Sequence, residues 1–267
     1  MLSSSFSLVI KYPSSKKNRQ LFAFEQIEAS SLIKLFIVVL YLMQLQQVKT
    51  NLKAQIEICD YHTKNTEMWS VKKIKKRTAY SISELVRYSI SHSDAISTNI
   101  IIDQLGGKKN INKMLNTLGF LNTTLMRDSF SGFGKRGKNF LIARTTADEY
   151  SRLLEHIFFQ RTLLRGKYFT VLKNALQRVN WHTRKIDQFD CFYHKTGTCI
   201  NGNKLTINDG GVLFKSPNDT IPQAIIVFCT SQSFFGRYYG IEFFNRLASF
   251  DKKILNLIDS ERRTFNK

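Results

Sequence analysis

The chain has 267 residues, of which 43% are hydrophobic, 13 are glycine and only 3 are proline. This size suits one large domain with a sizeable core, and the low proline and glycine content excludes long disordered linkers. The formal net charge of +20 favours anionic partners such as nucleic acid, acidic lipid or an anionic cell-wall polymer, although a solvated basic surface also accounts for it.

The first elements that the sequence predicts are a β-hairpin and a buried helix. Residues 6–12 alternate in polarity and favour a strand, residues 13–18 form a polar turn, and residues 21–24 favour a return strand. Residues 32–45 are apolar on nearly all sides, which indicates a helix buried on every face. Because a membrane span needs about 20 apolar residues and this segment contains Lys34, we expect a core helix and no transmembrane helix.

The middle of the chain predicts a run of helices. Two capping boxes, at residues 81–84 and 146–149, should each begin a helix. Residues 97–105 and 110–118 are also helical in pattern, and each segment stops at glycine. Residues 121–145 are rich in Gly, Ser, Lys and Asn and have no clean period, which predicts a long irregular loop of the kind that often carries function.

The last part of the chain changes to strands. Residues 189–198, 204–214 and 224–230 have the pattern of three strands separated by turns. A final helix is predicted from an apolar stripe at helical spacing, which comprises Phe243, Leu247, Phe250, Ile254 and Leu257.

This order of elements predicts an α+β fold. An antiparallel β-sheet built from both chain termini is flanked by helices and carries an inserted all-helical lobe. Within a single catalytic domain spanning 1–267, the sheet lobe would comprise residues 1–30 and 186–267, and the helical lobe residues 31–185.

The segment Ser31-Leu32-Ile33-Lys34 places a serine and a lysine at the start of the apolar helix. Residues i and i+3 share a helix face, so the Ser31 hydroxyl and the Lys34 amine can approach each other. A serine needs an adjacent base to act as a nucleophile, and a lysine becomes a base when burial or a second cation lowers its pKa. We expect Lys195 to be that second cation, and backbone N–H groups at the helix start to stabilise an oxyanion.

Each signal is weak on its own. Ser-x-x-Lys spacing arises easily by chance here, and Ser14 and Lys17 also have it without an apolar helix behind them. Ser93-Asp94 alone predicts a helix cap, and Lys195-Thr196-Gly197 alone predicts an edge strand whose glycine lets a substrate backbone lie close. The order of all three motifs along the chain is what favours acyl-transfer chemistry.

The three motifs in this order resemble the signature of the class A β-lactamase-like family of penicillin-recognising serine hydrolases, which is S-x-x-K, then S-D-N, then K-T-G. The resemblance extends to segments 83–85, 97–101 and 207–212 and covers nearly the whole chain. It implies that Ser31 is acylated by the substrate carbonyl, that Lys34 accepts its proton and that Ser93 passes a proton to the leaving nitrogen.

The same resemblance implies how the substrate is held. Lys195 and Thr196 would bind the substrate carboxylate beside Gly197. The backbone N–H groups of Ser31 and Thr198 would form the oxyanion hole.

Two departures from the family pattern bear on activity. Ala95 stands where the family has the asparagine of S-D-N, which normally contacts the substrate amide. The loop at 121–145 contains no glutamate, whereas efficient class A enzymes use one to activate the deacylating water. Asp128 is the only acid of that loop, and Asn139 would stand near the family's asparagine, so both are candidate substrate-side residues. Loss of a general base costs about 10²–10⁴-fold, which predicts slow deacylation.

The leading interpretation is a serine hydrolase for β-lactam or related amide substrates. A D,D-peptidase or amidase for cell-wall peptides and a catalytically inactive ligand-binding relative remain as alternatives, and a nucleic-acid binder ranks last because no base-reading motif is present. The 4 cysteines form no CxxC pair, so no metal site or cofactor is expected. A monomer is expected. By resemblance the protein works outside the cytoplasm or at the cell surface, although residues 1–10 are too polar and short for a signal peptide.

Overall fold

The structure is a computed structural model that describes residues 4–12, 17–63, 79–130, 141–177, 191–201 and 204–233. Its main sheet has five strands: β1 Ser4–Tyr12, β2 Lys17–Leu21, β8 Phe192–Asn201, β9 Lys204–Leu213 and β10 Ala224–Ser233. Their order across the sheet is β2-β1-β10-β9-β8, and every neighbouring pair is antiparallel. Strands from both ends of the chain therefore share one sheet, which confirms the predicted α+β fold class.

Helices and two small sheets fill the sequence between β2 and β8. The helices of the described residues are α1 Ile33–Gln47, α2 Asp60–Thr63, α3 Ile82–Ser91, α4 Ala95–Gln104, α5 Gly107–Thr117, α6 Ala147–Phe158 and α7 Gly166–Gln177. The small sheets comprise β3 Ile27–Glu28, β6 Thr124–Leu125 and β7 Ala143–Thr145 in one, and β4 Gln55–Glu57 and β5 Ala79–Ser81 in the other.

Helix α1 is the centre of the core. Its residues from Ile33 to Leu42 are all buried, including the amine-bearing Lys34 at 0% exposure. Burial on all sides matches the sequence, which has no polar face for solvent. By length and composition the segment Ser30–Gln47 is the one helix among the described residues that is able to cross a membrane, and 67% of it is buried inside the fold.

The inner face of the sheet packs closely against α6 because the contact residue on β9 is a glycine, Gly210. Gly210 of β9 lies under the ring of Tyr150, and a Cβ there would come within 2.4 Å of the ring atom Cε1. Tyr150 is 0% exposed. The glycine is therefore required for the helix to approach the sheet, as close packing at interior density demands.

The predicted helix starts are largely confirmed at their caps. Ser81 and Glu84 form the expected capping box at α3. Thr146 caps α6 by accepting from the backbone N–H of Glu149, but the Glu149 carboxylate binds Asn122 and Thr123 instead of completing a box. A buried carboxylate satisfies the donors nearest to it, and here these belong to the preceding loop.

Several predicted boundaries are wrong. The return strand predicted at residues 21–24 lies at Lys17–Leu21, because Tyr12 pairs directly with Lys17 and Phe22 at φ 50° ends the strand. Helices α4 and α5 begin earlier than predicted. The side chain of Asp94 caps α4, and Gly106 in the left-handed region at φ 77° admits the chain into α5.

Other elements were not predicted or cannot be compared. Helix α7 has no counterpart among the predictions, and β6 and β7 lie within the segment predicted as an irregular loop. The final helix predicted from residues 243–257 lies outside the described residues.

Candidate active site

Ser31 lies in a short 3₁₀ turn, Ser30–Leu32, that leads directly into α1. The turn begins with Ser30 at φ 49°, in the left-handed region that a residue with a side chain rarely adopts. No side chain caps the turn or the helix. Backbone N–H groups at such a start carry partial positive charge and suit a developing oxyanion.

Strand β8 lies against this turn through Gly197. A Cβ at Gly197 would stand 3.1 Å from each of three backbone atoms, the carbonyl oxygen of Ala29 and the nitrogens of Ser31 and Leu32. The strand backbone thus reaches the nucleophile turn as closely as a side-chain-free residue allows. The sequence predicts that glycine here lets a substrate approach the strand, and in the structure it also lets the turn itself lie close.

Ser93 is the point where the two lysines meet. It lies between α3 and α4 at φ 51°, and its hydroxyl accepts hydrogen bonds from Lys34 Nζ at 3.3 Å and from Lys195 Nζ at 3.1 Å. Lys34 Nζ also donates to the Ser93 carbonyl oxygen, and Lys195 Nζ to the Thr196 carbonyl oxygen at 2.7 Å. Two predicted site residues, Lys34 and Lys195, therefore converge on the hydroxyl of a third, Ser93.

Both lysines have lowered pKa values. Burial lowers the pKa of Lys34 to about 7, against the opposing charge of Asp94, which favours the ammonium form. Burial also lowers the pKa of Lys195 well below its usual value, with repulsion from Lys34 adding to the effect and Asp209 opposing it. At neutral pH a large share of Lys34 is then the neutral amine, which is the form that accepts a proton.

The expected contact between Ser31 and Lys34 is not formed. The hydrogen bonds of Lys34 go to Ser93, and within the described residues the Ser31 hydroxyl has no hydrogen-bond partner. The two side chains stand at the same helix start, as predicted. Catalytic hydrogen bonds often form or tighten only once substrate is bound. Lys34 therefore remains a candidate base although it does not contact the Ser31 hydroxyl here.

Among the described residues, Asp128 contacts Lys108 and neither Lys34 nor Lys195. Its side chain is 71% exposed, accepts from the Lys108 backbone N–H at 3.2 Å and lies 3.6 Å from Lys108 Nζ at the start of α5. Asn139 lies outside the described residues. Ala95 is buried as the first residue of α4, so the position that would carry a substrate-binding amide carries none.

Phe130 also belongs to the site, although the sequence analysis did not predict it. Lys34 Nζ lies over its ring, 4.6 Å from the ring centroid, and the Phe130 side chain is 2% exposed. Its backbone N–H donates to Asn99 Oδ1 at 2.8 Å. No sequence signal distinguishes this phenylalanine from the others in the chain, because it lies in a loop without periodicity.

A buried hydrogen bond between His194 and Asp209 links β8 to the neighbouring strand. His194 Nδ1 and Asp209 Oδ1 are 2.9 Å apart, with side chains 3% and 2% exposed. The Asp209 charge also opposes the lowering of the Lys195 pKa. Because a buried carboxylate costs several kcal/mol unless it is paired, His194 stabilises the group that in turn favours the charged form of Lys195.

The cysteines do not contribute ligands or disulfides. Within the described residues none of the four is joined in a disulfide, and Cys59 is exposed whereas the others are buried. Burial, and next the neighbouring Glu28, raises the pKa of the Cys199 thiol to about 12. No group of three potential metal-ligating side chains occurs in the part of the chain that the structure describes.

The main sheet is five-stranded and antiparallel and is accompanied by a helical lobe. Two buried lysines meet on the Ser93 hydroxyl, and one of them follows the helix-start serine by three residues. These features are typical of the penicillin-recognising serine hydrolases. A family model described as "Beta-lactamase enzyme family" matches residues 3–253. The chain therefore belongs to the β-lactamase enzyme family.

Solved structures agree with this assignment. A class A β-lactamase from Bacteroides cellulosilyticus DSM 14838 has a TM-score of 0.80 at 20% identity, covering 97% of this chain and 93% of that chain. The TLA-3 extended-spectrum β-lactamase has a TM-score of 0.80 at 17% identity, covering 96% and 94%. A β-lactamase from Chitinophaga pinensis DSM 2588 has a TM-score of 0.75 at 17% identity, covering 87% of each chain. At these identities the likeness shows the fold alone. No curated protein matches the chain.

Proposed function

We propose that the protein is a serine hydrolase that is acylated at Ser31 by β-lactams or related amides. The observation that carries the proposal is the shared Ser93 hydroxyl, which both buried lysines contact beside the turn that holds Ser31. A structural role alone does not require two amines to be buried, since each burial costs several kcal/mol. The cost is explained if these groups move protons and bind an anion.

Acylation follows from this arrangement in one sequence of proton transfers. The Ser31 oxygen attacks the substrate carbonyl while its proton passes to the neutral Lys34 amine. The oxyanion is held by the backbone N–H groups of Ser31 and Thr198. The Ser93 hydroxyl protonates the leaving nitrogen as the C–N bond breaks, and a lysine ammonium that contacts Ser93 replaces that proton.

Substrate binding is assigned to the strand. Lys195 and Thr196 would hold the carboxylate of the substrate, beside the open backbone of Gly197. The proposed partner is thus an anionic small molecule, a β-lactam or a cell-wall peptide. The basic surface suits an anionic cell-wall polymer, and the place of action proposed from the family is outside the cytoplasm. A monomer is sufficient, because one chain supplies every residue invoked.

Deacylation is proposed to be slow. Hydrolysis of the Ser31 ester needs a base that removes a proton from water. The acid of the loop, Asp128, is exposed and bonded to Lys108, and Phe130 covers Lys34 where the loop approaches it. An acyl-enzyme that persists is also what a slow D,D-peptidase or amidase would give with a β-lactam. The exposure of Asp128 therefore favours cell-wall peptides as the second candidate substrate.

The test is whole-protein mass spectrometry after exposure to benzylpenicillin. The expected result is a single covalent adduct that disappears in Ser31→Ala and remains in Ser14→Ala, a control at another Ser-x-x-Lys sequence. Absence of an adduct, together with no hydrolysis of a chromogenic cephalosporin, would overturn the covalent mechanism and favour an inactive ligand-binding relative. Rapid hydrolysis of the cephalosporin would instead contradict the slow deacylation step.

A further inference from the structure

The contact between Phe130 and Lys34 is the feature of the site that the proposed chemistry does not use. The amine lies over the ring at 4.6 Å from the centroid, within the distance of about 6 Å that defines a cation–π contact. Both side chains are buried, Lys34 at 0% and Phe130 at 2% exposure. An aromatic ring at this place closes one side of the amine to water.

Phe130 is held in place from α4. Its backbone N–H donates to the side-chain oxygen of Asn99 at 2.8 Å, and Asn99 is itself 7% exposed. A buried hydrogen bond of this kind is costly to leave unmade, about 1–3 kcal/mol. The hydrogen bond to Asn99 therefore ties the Phe130 backbone to α4 of the helical lobe.

Charged and hydrogen-bonding groups also face Lys34. Within the described residues they are Asp94 from the connection between α3 and α4, Ser93 from the same connection, and Lys195 from β8. Asp94 favours the ammonium form, and the repulsion from Lys195 disfavours it. Phe130 differs from these groups because it contributes an apolar ring, which removes water without offering a charge.

We propose that Phe130 is a positioning residue for Lys34: its ring excludes water from the amine and so keeps the amine able to act as a base. The inference rests on the role of Lys34 in the proposed function. It goes beyond that function because it assigns the task to a loop residue outside the three motifs.

Two effects of the ring oppose each other, and their sizes predict which one dominates. The cation–π contact stabilises the ammonium form by about 0.5–2 kcal/mol, which raises the pKa by about 0.4–1.5 units. Exclusion of water destabilises the ammonium form and lowers the pKa by up to about 3–5 units at full burial. A smaller residue that admits water should therefore raise the pKa of Lys34, whereas an aliphatic residue that keeps water out should not.

The experiment is a titration of Lys34 by NMR in the full chain labelled with ¹³C-lysine, with the signal assigned by its loss in Lys34→Arg. Phe130→Leu keeps an apolar cover without a π face, and we expect the same midpoint as the parent protein or one lower by up to about 1.5 units. Phe130→Ala admits water, and we expect a midpoint higher by about 1 unit or more. At pH 7 the acylation rate by penicillin should then fall by about fivefold or more in Phe130→Ala, because the neutral fraction of Lys34 falls from about one half to about one tenth.

A second variant covers the case in which Phe130→Ala does not fold. Asn99→Ala removes the anchor of the ring and should shift the Lys34 midpoint in the same direction as Phe130→Ala. Equal midpoints in the Leu, Ala and Asn99→Ala proteins would overturn the role of Phe130. The titration does not need a substrate, so a failure of acylation in the parent protein would refute the proposed function separately.

Discussion

Gly197→Ala is the substitution for which the structure gives the sharpest expectation. The added methyl group would stand 3.1 Å from the Ala29 oxygen and from the nitrogens of Ser31 and Leu32. All three are backbone atoms of one turn, so no side chain can rotate away to make room. The turn that carries Ser31 has to move as a unit.

The size of the displacement follows from contact distances. An ordinary Cβ contact begins at 3.4 Å, so the turn must retreat by 3.4 − 3.1 = 0.3 Å. Inserting a methylene into a packed interior costs about 1–3 kcal/mol of unfolding free energy. Since a misplacement of about 1 Å costs about 10²-fold in rate, a few tenths of an ångström should slow acylation of Ser31 by about three- to tenfold.

The assay is the rate of penicillin adduct formation by mass spectrometry, with thermal unfolding of the same samples. Gly166→Ala is the matched control, because its Cβ would meet nothing within 4 Å although its φ of 52° makes any side chain strained. It should lose about 1 kcal/mol of stability and acylate at the parent rate. A folded Gly197→Ala protein that acylates at the parent rate would refute the argument that this close contact sets the position of Ser31.

Three further predictions concern single groups. Acylation should rise with pH through about 7, because the neutral amine of Lys34 is the base and its pKa is about 7; a flat profile between pH 6 and 8 would exclude it. Asp128→Ala should lose about 0.5–1 kcal/mol of stability, since its carboxylate caps the first turn of α5, but should leave the lifetime of the acyl-enzyme unchanged by mass spectrometry; a longer lifetime would restore Asp128 as the base. A thiol reagent at pH 8 should label Cys59 before the three buried cysteines, and equal rates would contradict their burial.

The fold was predictable where local signals are strong. Ser81 with Glu84 and Thr146 at its helix start gave correct helix boundaries because caps act through the nearest backbone N–H groups. The strand alternation of the C-terminal half likewise placed β8, β9 and β10 within a few residues. Boundaries failed where a tertiary feature decides them, as at Phe22, whose left-handed backbone ends β2.

The site residues were likewise predictable only where a sequence pattern marks them. The residues of the three motifs were found by order along the chain, and the structure brings Lys34, Ser93 and Lys195 into contact. Phe130 could not be found this way, because a ring that covers an amine differs from a core phenylalanine only in what it faces. Asp128 is a candidate from the sequence because it is the single acid of the loop. In the structure it is exposed and bonded to Lys108 of α5, a contact that no sequence pattern predicts.

The pairing of the first strand with the last has a consequence for how the protein is made. Lys11 of β1 lies opposite Ile225 of β10, so during synthesis β1 has only the short β2 to pair with until almost the whole chain has emerged. The apolar α1 is also synthesised early, before the later elements that bury it. Such distant pairing slows folding and exposes partly folded chains to aggregation. A net charge of +20 keeps such chains apart by repulsion, and a chain interrupted before β10 lacks the strand that joins the two ends of its sheet.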